Sequence, residues 1–352
     1  CNAEIAYNTD DHFRTEEEEE EEEIGEVIYS LEHIDLERMP LSEQEKNISK
    51  RAISPNWLIK PKDIFEKCIT LYSNNHNFCY INSSLQVLIN IWEFSQKISS
   101  SHSDNIFILS LKQDIKSIYR DPSIYNIILN YNKTTGETSF TQQDPSEFIR
   151  ALLEKLSEDD TAIKHLVEDL FSFDITEKLI ISGKIIPYFN NPIKDLILNL
   201  KIDSNDKTLD DLIFGYFEWK ETKDSTIIIP EISQFPKYLF LYINRIDFIN
   251  GIYKKNFKCI SFDEELDLRR FYSPKTIKRH PAVYHLYAVI SHIGHSVDNG
   301  HYIAYINNNN IWYEFNDSKC SKVNENIVYQ ENFPINTDFG KAATILVYQS
   351  CP

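Results

Sequence analysis

The apolar residues of this chain change their spacing near residue 170. Before that point they recur at three- and four-residue steps, as in Ile81, Leu85 and Leu88, which is the period of an amphipathic helix. After it they form short β-branched and aromatic runs typical of strands. These runs are 178–186, 226–229, 238–243, 284–290, 301–306, 311–316 and 343–348. Helices followed by strands predict an α+β architecture.

The amino-terminal segment differs in composition from the rest. The chain has 352 residues and a net charge of −18, and residues 1–60 hold 17 of its acidic and 6 of its basic side chains. They include the unbroken acidic run Glu16–Glu23, which repels itself and cannot form a core. We therefore expect an acidic, disordered extension at 1–60, with a docking or autoinhibitory role as the alternative. A folded domain is expected at 61–352.

Charge and cysteine spacing limit the partners and the compartment. Residues 61–352 are moderately acidic, which argues against nucleic acid as a partner and suits a basic polypeptide. The cysteines form no Cys-x-x-Cys pair, so we expect neither a zinc knuckle nor a disulfide framework, and an intracellular setting. No apolar run approaches the length of about 18 residues that a membrane helix needs, so no membrane partner is expected.

Cys79 stands where an amphipathic helix is predicted to begin. The polar residues 73–77 before it could cap that helix. A thiol at a helix amino terminus feels the positive end of the helix dipole, which favours the thiolate. A lone cysteine is more often a small buried hydrophobe, and we interpret Cys68, Cys259, Cys320 and Cys351 in that way. Cys79 is the candidate nucleophile because a suitable histidine lies on a later strand.

That histidine, His301, begins a predicted strand that turns back through Asn307–Asn310. If the two strands pair about the centre of the asparagine run, Ile306 faces Ile311 and His301 faces Asn316. Opposed residues have Cβ atoms roughly 4.5–5.5 Å apart. The amide of Asn316 could therefore orient the imidazole of His301 so that it acts as a base.

The residue after Asn316, Asp317, would point to the other face of a regular strand. We therefore predict that only Asn316 meets His301, and that Asp317 is either a supporting residue of the site or a turn aspartate. A metal site is the rival explanation for His292, His295 and His301. We expect no metal, because no cysteine or second histidine cluster supplies the remaining ligands.

Five segments stand in order along the chain, and their sequences are characteristic. They are 74–86 around Cys79, the Gln-Gln-Asp segment 142–148, 236–246, the Gly-His-Tyr segment 300–305, and 312–318, which contains Asn-Asp-Ser. Together, over residues 71–348, they resemble the ubiquitin-specific protease family of deubiquitinating cysteine proteases. The resemblance implies a papain-like α+β cysteine protease fold. Its helical thumb would lie at 61–175, its fingers at 176–235 and its β palm at 236–352.

The resemblance also implies the catalytic roles. Cys79 would be the nucleophile, His301 the base and Asn316 the orienting residue, with Asp317 beside it. Asn74 matches the amide that the family uses in its oxyanion hole. The reaction would be hydrolysis of the peptide or isopeptide bond after the carboxy-terminal glycine of ubiquitin, by a monomer that needs no cofactor.

Two acidic residues match positions that, in the family, hold the basic tail of ubiquitin. They are Asp144 and Glu147, which follow Gln-Gln at the start of a predicted helix. Acidic residues are also favoured at a helix start by the dipole alone, and both roles are compatible. The expected partners are ubiquitin or ubiquitinated proteins.

Three features depart from the family pattern. His76 and Phe78 stand where the family usually has Gly and Thr, and a histidine adopts a positive φ only at a steric cost. Residues 176–230 contain no cysteine, so the fingers are expected to be zinc-free, whereas many members bind zinc there. The first two substitutions motivate an alternative function, a ubiquitin-binding scaffold with impaired catalysis. A further alternative is a peptidase for a ubiquitin-like modifier.

Overall fold

The chain is described by a computed structural model. The described residues are 71–72, 77–115, 119–120, 144–158, 160–181, 184–187, 192–222, 227–277, 281–297, 299–330 and 340–351. The expected extension at 1–60 and the expected domain start at 61 lie outside them. The described residues divide into two compact units. The smaller unit includes 177–181, 184–187, 219–222 and 227–230, and the larger unit includes the described residues of 54–176, 192–218 and 231–352.

Most of the described helices precede the long strands, as the change in periodicity predicts. They are α1 Cys79–Asn90, α2 Trp92–Ser100, α3 Ile106–Ile115, α4 Pro145–Ser157, α5 Thr161–Phe171, α6 Leu209–Phe217 and α7 Glu325–Gln330. Helix α4 begins where its sequence predicts, because the Asp144 side chain accepts a hydrogen bond from the Ser146 N–H and Pro145 occupies the first turn. None of the helices in the described ranges is both long and apolar enough to span a bilayer.

Most of the described strands lie in the second half of the chain. They are β1 Leu71–Tyr72, β2 Tyr119–Arg120, β3 Phe173–Ile181, β4 Lys184–Pro187, β5 Ile193–Asp195, β6 Ile197–Lys201, β7 Lys220–Glu221, β8 Ile227–Gln234, β9 Tyr238–Asn244, β10 Ile246–Ile249, β11 Ile252–Lys255, β12 Glu265–Asp267, β13 Tyr272–Ile277, β14 Val283–Ile293, β15 His301–Asn308, β16 Ile311–Asn316, β17 Lys319–Val323 and β18 Lys341–Ser350. A short 3₁₀ turn lies at Arg269–Phe271. The α+β prediction is therefore confirmed.

A mixed sheet forms the centre of the larger unit, in the order β17-β16-β15-β14-β18-β9-β6, with β12 beside β14. Both faces of its central strands, β9, β14, β15 and β18, are buried. In β9, Tyr238 and Phe240 pack into the core that contains the helices α1 to α5, whereas Leu239 and Leu241 pack into the core that contains α6. This two-sided burial explains why β9 reads as an unbroken apolar run rather than an alternating one.

The smaller unit contains two antiparallel strand pairs among its described residues. Residues 178–181 at the end of β3 pair with β4, and β7 pairs with the first residues of β8. Residues 176–230 contain no cysteine. The assignment of 176–235 as zinc-free fingers stays a prediction.

The hairpin of β15 and β16 has a different register from the predicted one. Asn308 pairs with Ile311 and Ile306 with Tyr313, so the pairing of Ile306 with Ile311 was wrong by two residues. The reason is the turn, which consists of Asn309 and Asn310, both at positive φ (54° and 62°). Two consecutive positive φ angles characterise the type I′ turn of two-residue hairpins. The turn is therefore centred one residue later than the middle of the asparagine run.

Candidate active site

Helix α1 begins at Cys79, as predicted, and its thiol is buried, with 2% of the residue exposed. The N-cap residue is Phe78, whose side chain makes no capping hydrogen bond, and residues 73–76, which the sequence offered as caps, lie outside the described residues. The preceding Asn77 has φ 61°, and asparagine tolerates this left-handed conformation better than most residues. The sharp turn that presents Cys79 is therefore made at Asn77.

The environment of the thiol works against its ionisation. Burial raises the pKa of Cys79, and the Asp317 carboxylate raises it further, while a hydrogen bond from the Tyr302 backbone lowers it. The helix start was expected to favour the thiolate, but desolvation outweighs the favourable contributions here. A thiol with a raised pKa needs a nearby base to take its proton at neutral pH.

His301 and Asn316 are in direct contact. Nε2 of His301 lies 2.8 Å from Oδ1 of Asn316, so an N–H on Nε2 donates to the amide oxygen and leaves Nδ1 as the nitrogen that accepts a proton. The two-residue change of register preserves this contact, because side chains alternate with period two. Extended by one residue on each strand, the observed pairing puts Asn316 opposite Ile303, on the same face as His301 and diagonal to it.

Asp317 also approaches His301, and the prediction that only Asn316 would do so was wrong. Oδ2 of Asp317 lies 3.7 Å from Nε2 of His301. The strand β16 ends at Asn316, and Asp317 has φ 49°. The strict alternation of faces therefore stops at Asp317, and its carboxylate turns back towards the imidazole.

Asn82 is a residue of the site that the sequence did not reveal. Its Nδ2 donates to Oδ1 of Asp317 at 2.7 Å, and its position three residues after Cys79 puts it on the same side of α1. This hydrogen bond joins the first turn of α1 to the turn after β16. The sequence signal that could have identified Asn82 is a polar residue three positions after the cysteine, on a helix that is buried along its whole length.

A cleft of about 280 Å³ adjoins these residues. Its lining includes Asp144, Glu147, Tyr242, Arg245, Ile246, Tyr253, Lys255, His292, Val297, Tyr302 and Thr344. The two acidic residues that the sequence assigned to the substrate tail are thus brought together. The Tyr242 hydroxyl donates to Oδ2 of Asp144 at 2.7 Å, and the Tyr302 backbone connects the cleft to Cys79.

Other site residues from the sequence lie elsewhere. Asn74 and His76 lie outside the described residues. Within the described ranges, no group of three or more His, Cys, Asp and Glu side chains is arranged to hold a metal ion. His292 is buried and contacts the Tyr302 ring, with ring centroids 4.6 Å apart.

The arrangement of helices and sheet is a known one. One chain of the solved SAGA DUB module Ubp8/Sgf11/Sus1/Sgf73 bound to monoubiquitin matches with a TM-score of 0.68 and 21% identity, over 81% of this chain and 69% of that one. The same module bound to ubiquitin aldehyde gives a TM-score of 0.66 and 20% identity, over 81% of this chain and 70% of that one. The fold is that of the papain-like catalytic domains of ubiquitin-specific proteases.

Sequence comparison identifies the family. The ubiquitin carboxyl-terminal hydrolase family, UCH, matches residues 71–348, so the chain belongs to this family, as a ubiquitin-specific protease. Ubiquitin carboxyl-terminal hydrolase 20 of Arabidopsis thaliana is 25% identical over 298 residues, which are 74% of this chain and 41% of the relative. Ubiquitin carboxyl-terminal hydrolase 21 of Homo sapiens is 38% identical over 98 residues, 28% of this chain and 17% of the relative. The chain thus spans less than half the length of these relatives.

Proposed function

We propose that this chain is a thiol-dependent deubiquitinase that hydrolyses the bond after the carboxy-terminal glycine of ubiquitin, with Cys79, His301 and Asn316 as its triad. The observation that carries the proposal is the contact of 2.8 Å between His301 Nε2 and Asn316 Oδ1. The buried Cys79 at the start of α1 is linked to this pair through its hydrogen bond with the backbone of Tyr302, the residue after His301, and the chain is a member of the UCH family. We further propose that it acts inside the cell and needs no cofactor.

The proposed reaction begins with transfer of the Cys79 proton to His301. The thiolate then attacks the carbonyl carbon of the terminal glycine, and backbone or side-chain N–H groups near the start of α1 stabilise the oxyanion. In this proposal Asn74 is one such donor. The His301 imidazolium gives its proton to the leaving amine, and a water molecule then hydrolyses the thioester. Asn316 keeps the imidazole in the tautomer and orientation that both transfers need.

The cleft supports a basic peptide as the ligand. Asp144 and Glu147 line the same cavity, and carboxylates pair with the arginines of a basic tail through charge-assisted hydrogen bonds. The hairpin of β10 and β11 borders this cleft and leaves large apolar side chains exposed, including Phe248 (65%), Tyr253 (64%) and Ile252 (60%). Exposed apolar clusters of this kind mark surfaces that contact another protein. Both features favour ubiquitin or a ubiquitinated protein as the substrate.

The decisive experiment uses a ubiquitin probe with an electrophilic carboxy terminus. We expect it to form an adduct with the wild-type protein and none with Cys79→Ala, and we expect Cys79→Ala to bind ubiquitin without cleaving it. Ubiquitin binding by a wild-type protein that forms no adduct would support the scaffold alternative. A faster reaction with a probe made from a ubiquitin-like modifier would support the other alternative.

A further inference from the structure

The amino group of Lys255 is buried in a cage of backbone carbonyl groups. Lys255 is 8% exposed. Its Nζ donates to the carbonyl oxygens of Gly294 at 2.7 Å, Gly340 at 2.8 Å and His292 at 3.2 Å, and it contacts Nδ1 of His292 at 2.8 Å. It also lies 5.3 Å from the centroid of the Phe257 ring. None of these contacts is with a carboxylate, so the lysine is held by neutral acceptors.

Burying such an amino group is unfavourable. Burial, with the Arg245 guanidinium nearby, lowers the pKa of Lys255 to about 7. Burial also lowers the pKa of His292 to about 3, and the charges of Lys255 and His301 add to this effect. A buried basic group without an acidic partner costs stability. A contribution to stability therefore does not account for a lysine at this position.

The carbonyl groups that Lys255 joins belong to the ends of two strands and to the loop that leads to His301. His292 lies near the end of β14, Gly294 begins the loop 294–300, and Gly340 directly precedes β18. In the sheet, Ile293 pairs with His301 and His292 with Tyr302. The lysine therefore holds the part of β14 that pairs with the first residues of β15.

The other end of the same loop rests on His292. A Cβ atom on Gly300 would stand only 2.2 Å from Nε2 of His292 and 2.4 Å from the carbonyl oxygen of Ile293. A Cβ atom on Gly294 would stand 2.6 Å from the carbonyl oxygen of Asn299. The two ends of the loop are thus packed against each other, and Gly300 passes over the imidazole that Lys255 holds. The residue after Gly300 is His301.

We propose that Lys255 is a positioning residue for His301, and that it acts through His292, Gly294 and Gly300 without touching the substrate bond itself. The role rests on the proposed function of His301 as the base. Lys255 comes from the hairpin of β10 and β11, which also borders the cleft. It thereby couples one wall of the cleft to the residue that must accept the thiol proton.

The test compares Lys255→Met with Lys164→Met. Methionine has nearly the length of lysine but cannot donate, and Lys164 is an exposed lysine on α5 that does not line the cleft. With a fluorogenic ubiquitin substrate, we expect Lys255→Met to lower kcat by about tenfold or more, a part of what acid–base catalysis contributes, with KM changed much less. We expect Lys164→Met to retain the wild-type kcat. Active sites are counted with the electrophilic ubiquitin probe, so that a misfolded fraction is not read as a lower kcat.

A second readout does not depend on ubiquitin. Alkylation of Cys79 by iodoacetamide is followed against pH by mass spectrometry of the Cys79 peptide, and His301→Ala defines the reactivity near neutral pH that requires the base. We expect Lys255→Met to shift this profile towards that of His301→Ala, which a loss of stability alone would not do. An unshifted profile with an unchanged kcat per active site would overturn the proposal.

The two proposals fail in different ways. If the wild-type protein cleaves no ubiquitin substrate but its alkylation profile shifts in Lys255→Met, the proposed substrate is wrong and the role of Lys255 stands. If the wild-type protein cleaves ubiquitin and Lys255→Met matches it in both readouts, only the role of Lys255 is wrong. Should Lys255→Met lower Tm by more than about 5 °C, Lys255→Ala with added methylamine replaces it. Recovery of kcat by the amine supports positioning, and no recovery contradicts it.

Discussion

Asn316 and Asp317 are consecutive residues that approach the same imidazole from different backbone conformations. Asn316 is the last residue of β16, whereas Asp317 is at positive φ in the turn that follows. The amide contact to His301 Nε2 is 2.8 Å and the carboxylate distance is 3.7 Å. The amide is thus within hydrogen-bonding distance and the carboxylate is not. We therefore propose that Asn316 orients the ring and that Asp317 acts on it electrostatically.

Removing the amide should affect turnover more than removing the carboxylate. We expect Asn316→Ala to lower kcat for a fluorogenic ubiquitin substrate by about tenfold or more, because a misoriented base loses part of the roughly 10²–10⁴ that acid–base catalysis supplies. The matched variant, Asp317→Ala, should lose less. A larger loss in Asp317→Ala than in Asn316→Ala would assign the orienting role to the carboxylate.

Asp317 also acts electrostatically on Cys79, the proposed nucleophile. Its negative charge raises the pKa of Cys79, so Asp317→Asn should lower that pKa and move the midpoint of Cys79 alkylation by iodoacetamide to lower pH. The substituted amide oxygen can still accept the hydrogen bond from Asn82, so the turn is preserved. Glu218→Gln, at an exposed acid after α6, is the charge-matched control and should leave the midpoint unchanged. A midpoint that moves to higher pH in Asp317→Asn would contradict this electrostatic account.

At the scale of elements, the two carboxylate oxygens of Asp144, the N-cap residue of α4, have different partners, which the sequence could not show. Asp144 caps the helix through Oδ1, which accepts from the Ser146 N–H at 2.7 Å. Its Oδ2 accepts from the hydroxyl of Tyr242, and both residues line the cleft. An asparagine at this position preserves the cap, because its oxygen accepts the same hydrogen bond. It removes the charge and replaces Oδ2, which accepts from the Tyr242 hydroxyl, with an amide N–H that can donate to that hydroxyl.

We therefore expect Asp144→Asn to raise KM for ubiquitin substrates severalfold while Tm stays near the wild-type value. Asp144→Ala should raise KM and also destabilise the fold by about 1 kcal/mol, the usual cost of losing an N-cap. The control is Asp160→Asn at the N-cap of α5, which should change neither. If Asp144→Asn binds ubiquitin as tightly as the wild type, Asp144 is a structural cap only.

The hairpin of β15 and β16 illustrates what the sequence could and could not predict. Its strands were predictable because their apolar and aromatic runs are bounded by turn residues. The register was not, because Asn307–Asn310 are four identical residues that all tolerate positive φ, and nothing in the sequence selects Asn309 and Asn310. The side chain of Asn316 was nevertheless predicted on the correct face of the sheet, because a register shift of two residues preserves the face. The hydrogen bonds of Asn82 and Lys255 join positions far apart in the chain, and no local pattern encodes them.

The turn itself can be tested by stability. Asn310 has φ 62°, a conformation that costs an ordinary L-residue about 1–2 kcal/mol and glycine almost nothing. We expect Asn310→Ala to lower the free energy of unfolding by about 1 kcal/mol and Asn310→Gly to leave it nearly unchanged. Urea denaturation with an unchanged m-value measures both. Equal losses in the two variants would mean that the turn is not limited by its backbone conformation.

At the scale of the whole molecule, the central sheet connects the parts of the site. It carries His301 at one end of β15 and Asn316 at the end of β16, and its helix-facing core includes residues of α1, the helix that begins at Cys79. Because both faces of the central strands are buried, small shifts of a strand are resisted by packing on two sides. The positions of His301 and of the neighbouring Asn316 are therefore set by the packing of the larger unit.

The last prediction concerns metal dependence of the whole protein. Many ubiquitin-specific proteases bind zinc through cysteine pairs in the fingers, but residues 176–230 of this chain contain no cysteine, and a structural zinc site of that kind requires thiolates or histidines. We expect the purified protein to contain no stoichiometric zinc, and o-phenanthroline to leave its Tm and its cleavage of ubiquitin substrates unchanged. A zinc-binding relative treated in parallel is the positive control. Zinc bound in a ratio of about one per chain, with a lower Tm after chelation, would show that other residues hold a structural metal.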